Sequence, residues 1–202
     1  MARYTADHNE TVNKLVLLAL QWIRQTPSLA DSGGALGAYR IVERSSARAR
    51  WLNGVPEDKK AELLPEAWFE AWADATCSSG QKGPGLGQLM APNGTVQDSR
   101  EYWASGKPLY DPARVTVPVL IVHADLDRDC PIELSRAVFA ELKSAPYRRW
   151  VEIGEGTHRF SWRTTTGRYL TRSMGSLGTS HEHEWVISAG QPSDRFGSDR
   201  NL

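Results

Sequence analysis

Pro118-Val-Leu-Ile-Val-His-Ala-Asp-Leu-Asp-Arg-Asp-Cys-Pro131 decides the fold, together with a second stretch, Val151-Glu-Ile-Gly-Glu-Gly-Thr-His158. Each is an apolar run that stops abruptly in polar, turn-forming residues. The run Val119 to Val122 is uninterrupted and rich in β-branched residues, the pattern of a strand buried on both faces of a parallel sheet. It opens into a loop with three aspartates, Asp125, Asp127 and Asp129, and a helical pattern begins at Pro131. The second run, Trp150 to Ile153, opens into a Gly-rich loop holding His158. Open α/β sheets place their sites at the carboxyl ends of neighbouring strands, so an aspartate and His158 form a candidate catalytic pair. A carboxylate bonded to a histidine fixes its tautomer and stabilises the imidazolium formed when the ring acts as a base.

Composition narrows the function classes. The 202 residues make one domain, or one domain with a subdomain, long enough to bury a core. Hydrophobic residues at 40% and charged residues at 24% describe a globular chain. Lys and Arg number 24, equal to Asp and Glu, which argues against broad electrostatic binding to nucleic acid or anionic membrane. Two cysteines, Cys77 and Cys130, are too few for a disulfide framework and fit a reducing compartment. The longest apolar run, Leu15 to Leu20, is far shorter than the ~20 residues of a membrane span, and no signal-peptide layout is present. The expected location is cytoplasmic.

From the N-terminus, Ala2 to Asn9 reads as the end of a helix, followed by a turn and a buried strand over Lys14 to Leu20. A chain that begins inside a helix feeding a strand implies that residues are missing upstream. Residues 21–110 contain no convincing strand. Ser45-Ser46 is expected to cap a short helix through Leu52, with Gly54 just past its end. A second helix is expected from Pro56 to Leu64, and a third over Glu66 to Cys77 with Trp68, Phe69, Trp72 and Ala75 at helical spacing. Gly80 to Gly94 reads as a flexible stretch with an Asn93-Gly94 turn, and Gln97 to Ala104 as a fourth helix. Five of the eight tryptophans (Trp22, Trp51, Trp68, Trp72, Trp103) fall here; the stripe reads mainly as core, with one or two rings lining a ligand cavity as the alternative. The α/β pattern returns from Pro108, with a helix from Pro131 to Leu142 and a strand over 148–153. Thr164 to Met174 is weakly helical because of Gly167 and three consecutive threonines, and residues 175–202 read as mostly disordered.

Other chemistry-bearing residues have plainer readings. His123 ends a strand and reads as packed or supporting rather than as a base. Cys130 precedes a helix whose dipole can lower a thiol pKa, but without a second partner it reads as a small buried residue. His181-Glu-His183 supplies too few ligands for a closed metal site. Gly83-Pro-Gly-Leu-Gly87 is no phosphate loop, since no Lys-Ser/Thr follows it. No metal or cofactor is expected.

The stretch from Tyr110-Asp-Pro-Ala-Arg114 through Glu155-Gly-Thr-His158 resembles the C-terminal part of the α/β-hydrolase family. In that family one strand ends in a Gly-x-x-Asp loop supplying the triad acid, and the last strand ends in a Gly-x-x-His loop supplying the base. The resemblance places Asp127 as the acid, with Ala124 at the usual Gly, and His158 as the base. Ala2 to Leu18 resembles the end of the helix after the nucleophile and the strand that follows it, and residues 21–110 sit where the family inserts a helical cap. The implied fold is α/β, an incomplete hydrolase sheet of about three parallel strands with a helical cap. Residues 1–20 and 111–160 would form the core, 21–110 the cap or lid, and 161–202 a weakly structured tail. The likeness covers about residues 2–160, and two features depart from it. The nucleophile elbow Gly-x-Ser-x-Gly occurs nowhere in the sequence; Gly178-Thr-Ser-His-Glu182 lacks the second Gly and lies after His158. The segment after His158 does not read as the usual closing amphipathic helix.

The implied function is that of a fragment of a capped hydrolase. The complete enzyme would act on an ester, amide or similar small apolar acyl substrate, and the chain alone is expected to be inactive. The alternative is a non-catalytic remnant, or a ligand- or protein-binding module on the same scaffold. Sequencing the nucleotides on both sides of the reading frame checks the resemblance. A Gly-x-Ser-x-Gly codon run just upstream is expected, with a frame change near Phe160 explaining the tail.

Overall fold

The computed structural model describes residues 1–79, 83–85 and 87–158. The expectations for Thr164 to Met174, for the tail, and for His181 and His183 lie outside those residues. Met1–Phe160 make up one compact unit. Its centre is a three-stranded parallel sheet in the order β1 (Leu15–Leu18), β4 (Val119–Ala124), β5 (Arg148–Ile153). All six residues of β4 are buried, as its unbroken apolar run requires of a strand flanked on both sides. Leu15 pairs with Val119 on one side, and Val119 with Arg148 on the other.

The sheet core joins Leu15, Leu17, Val119 and Ile121 to Leu134, Val138 and Leu142, the last three from helix α6 (Ile132–Glu141) and its end. Ala6 of helix α1 (Ala2–Asp7) closes the same cluster. Each fully buried Leu or Val contributes roughly 1.5–3 kcal/mol through removal from water, so this cluster holds the strands and α6 together.

The segment between β1 and β4 departs from the expectation that it lacks strands. Strands β2 (Tyr39–Glu43) and β3 (Gln88–Pro92) pair antiparallel, from Tyr39 opposite Pro92 to Glu43 opposite Gln88. Neither is apolar enough to announce itself: β2 alternates Tyr39 and Ile41 with Arg40 and Val42 on a half-exposed ribbon, and β3 ends in proline. Part of the Gly80 to Gly94 stretch is therefore strand. Asn93 closes it by donating from Nδ2 to the Gly37 carbonyl and stands just before helix α5 (Gly94–Asp98). The fourth expected helix is split, α5 passing into a single wide π turn over Ser99–Trp103.

Helix α2 (Arg44–Trp51) starts one residue before the expected caps; the Ser46 hydroxyl donates to the Glu43 carbonyl instead of capping. A 3-10 turn, Glu57–Lys59, leads into α3 (Lys60–Leu63), and α4 spans Glu66–Ser79. Trp51, Phe69 and Ala73 form a second core with Trp72 against it, while Trp68 points outward at 52% exposure. Trp22 and Trp103 instead pack on the sheet core, with the Trp22 ring 5.1 Å from Tyr110. Among the described residues no helix is long and apolar enough to cross a membrane.

His123 sits in β4 with no exposed surface. Its Nδ1 is 3.3 Å from the Ser135 hydroxyl of α6, its ring stacks on Trp150, and its Nε2 has no hydrogen-bond partner among the described residues. Burial pushes its pKa below 6.5; Asp127, Glu152 and Glu133 oppose that shift, and Arg136 adds to it. The unfolded chain therefore binds this proton more readily. The His123 contribution is complete above the unfolded value and is lost as the pH falls below it. Chemical denaturation at a series of pH values should show stability dropping between about pH 7 and 5. His123→Leu should flatten that limb, and an unchanged slope would contradict the assignment.

Candidate active site

The loops that follow β4 and β5 meet because the strands pair in register to their ends, with Ala124 opposite Ile153. Beyond that pair the loops continue to bond each other. The Asp125 N–H donates to the Ile153 carbonyl (3.2 Å), and the Leu126 N–H donates to the Gly156 carbonyl (2.9 Å). The Gly156 N–H donates back to Asp125 Oδ1 (3.1 Å). Glu155 adopts φ +56°, a conformation costly for a residue with a Cβ, and this tightens the turn between Gly154 and Gly156.

Within this frame His158 Nδ1 lies 2.9 Å from Asp127 Oδ2. A carboxylate only accepts, so Nδ1 carries the proton and Nε2 keeps the lone pair with which a base works. The other carboxylate oxygen, Oδ1, accepts the Cys130 N–H at 2.8 Å. Asp127 is 2% exposed, and both of its oxygens are held. Of the three aspartates, only Asp127 reaches the ring. Asp125 braces the two loops by accepting the Gly156 N–H, and Asp129 turns away to Arg50. Asp127 accepts the Cys130 N–H, two residues before α6 begins, and among the described residues no side chain caps that helix.

Cys130 is buried, its thiol accepting from Gln21 Nε2 at 3.0 Å. Burial, then the charges of Asp127 and Asp129, push its pKa well above the ordinary thiol range, against the opposing pull of Arg24 and Arg50. The helix-start lowering considered from the sequence is overridden. Asp127, Cys130 and His158 bring possible metal-ligand atoms within 4.8 Å of one another. Two of those three side chains, Asp127 and His158, already bond each other.

Other residues touching these loops were not legible in the sequence. Arg24, Arg50, Lys59 and Gln21 all lie in the segment between β1 and β4, and no local motif marks them. An open cleft of roughly 700 Å³ in the same segment is lined by Arg48, Leu52, Gly54, Glu57 and Lys60 among others, and neither Asp127 nor His158 borders it.

No protein-family model matches the chain, and no curated protein matches it. Solved structures do. An α/β-hydrolase fold protein from Nakamurella multipartita is similar over 86% of this chain and 63% of its own, with TM-score 0.54 and 18% identity. Rv0554 from Mycobacterium tuberculosis is similar over 86% of this chain and 58% of its own, with TM-score 0.50 and 19% identity. A monoacylglycerol lipase from Paleococcus ferrophilus covers 86% of this chain and 61% of its own at TM-score 0.47 and 18% identity. This chain carries part of the α/β-hydrolase fold, spanning about three fifths of the solved chains it resembles.

The thiol assignment has a direct check. In native protein, Cys130 should react with a small disulfide reagent far more slowly than half-buried Cys77, and the difference should vanish on unfolding. Equal rates in the native state would contradict it.

Proposed function

We propose that this chain carries the acid and base of a capped acyl hydrolase, with Asp127 orienting His158 and the nucleophile supplied from outside these residues. The observation that carries the reading is the 2.9 Å contact between His158 Nδ1 and a buried carboxylate held at its other oxygen. In the complete enzyme, His158 Nε2 would take the proton of an attacking hydroxyl. Asp127 would stabilise the resulting imidazolium, and the proton would pass to the leaving group. The substrate would be an ester, amide or similar small apolar acyl compound, and the reaction needs no cofactor. Residues 1–20 and 111–160 would make the catalytic core, 21–110 the cap, and 161–202 a tail. A balanced charge and two free cysteines support a cytoplasmic protein without nucleic-acid or membrane partners.

The chain alone should be inactive. Losing a single oxyanion donor costs about 10²–10³ in rate, and a pair without its nucleophile retains little of the concerted effect. The second reading is a non-catalytic remnant, or a ligand- or protein-binding module on the same scaffold. Hydrolysis of a p-nitrophenyl ester by the purified chain, compared with His158→Ala, tests inactivity. The expected result is background rate for both. Turnover abolished by His158→Ala would overturn it. The two readings separate on a chain extended upstream through the same frame, where His158-dependent turnover supports the hydrolase and its absence supports the binding module.

A further inference from the structure

Residues 50–59 touch both strand-end loops through unrelated contacts. Arg50, in α2, grips the Asp129 carboxylate as a fork: Nε lies 2.9 and 3.1 Å from its two oxygens, and Nη2 lies 2.9 Å from Oδ1. Asp129 is 4% exposed, and its main-chain carbonyl accepts from Arg24 Nη1 at 3.0 Å. At Gly54, φ is +78°, and a Cβ there would stand 2.6 Å from Arg128 Nε, so the turn after α2 lies directly on the acid loop. Leu126 packs against the core built around Trp51 and Phe69. Lys59 pairs with Glu155 of the histidine loop.

We propose that residues 50–59 position the acid–base pair, with Arg50 fixing the Asp127 carboxylate through Asp129. The inference rests on the Asp127–His158 reading above and extends it to residues that touch no substrate. The path is short. Asp129 is two residues from Asp127 and adjacent to Cys130, whose N–H holds Asp127 Oδ1. A buried carboxylate left without its cation is strongly unfavourable, so the loop would shift to bring Asp129 to water. That shift would carry the Cys130 N–H away and free the Asp127 carboxylate to rotate off His158. Lys59–Glu155 does the corresponding work on the other loop, though both side chains are more exposed and the pair is correspondingly weaker.

The test is nitrogen-edited NMR of the isotopically labelled full chain, reading the His158 Nδ1–H resonance. In wild type the resonance should be present, and Asp127→Asn should remove it. If wild type lacks it, or it survives Asp127→Asn, the site reading itself fails. Given that control, Arg50→Gln should also lose the resonance while the amide peaks of β1, β4 and β5 stay in place. Retention at wild-type intensity would overturn the positioning role. Should Arg50→Gln fail to fold, Arg50→Lys decides: it keeps the charge and loses the fork. The expected outcome there is loss of roughly half or more of the peak height, and an unchanged peak would overturn the proposal.

Discussion

Everything at the site depends on the parallel pairing of β4 with β5. Six consecutive pairs, Val119 with Arg148 through Ala124 with Ile153, bring the ends of the two strands level. Asp127 then lies three residues past one end and His158 five past the other. The added turn through Gly154, Glu155 and Gly156 takes up that difference, and the bonds between Leu126 and Gly156 and between Asp125 and Gly156 hold the loops together. A one-residue slip of β5 would turn Ile153, the buried end of that strand, to the opposite face, so its burial favours this register. The geometry of the pair is thus a consequence of core packing. Hydrophobic burial fixes the strands, the strands fix the loops, and the loops leave one carboxylate facing one imidazole.

The parallel strands and the Asp127–His158 geometry were legible because their signals are local and strong. An uninterrupted apolar run admits little else than a buried strand, and a loop motif at its end carries its own spacing. The ribbon of β2 and β3 was not legible, because Tyr39–Glu43 and Gln88–Pro92 are short, polar on alternate positions and far apart in sequence. Their pairing is a tertiary fact that no window over either segment contains. The start of α2 shifted for a related reason: Ser46 has a nearby carbonyl, Glu43, and bonds to it rather than to a helix N–H. The residues alone left three aspartates open, and only the resemblance placed the acid at Asp127; the structure supplies the physical reason. Asp129 has the same local setting as Asp127 and is diverted by Arg50, 79 residues away.

The aromatic content of the segment between β1 and β4 is spent mainly on packing. Trp51, Phe69 and Trp72 contact one another, and Trp22 and Trp103 extend the sheet core. This gives the segment a core of its own and at the same time seats it on the acid loop through Leu126. The polar contacts of Arg50 and Lys59 then fall where that seating already brings the surfaces together. Packing supplies the approach, and the directional hydrogen bonds select one arrangement of the loops.

The most direct measurement is a double-mutant cycle on folding stability at neutral pH, using Asp127→Asn, His158→Gln and the pair. A hydrogen bond to a carboxylate with no exposed side-chain surface should appear as a coupling of about 1–3 kcal/mol. Additivity within about 0.5 kcal/mol would mean that the two residues do not act as a pair, and would contradict the account.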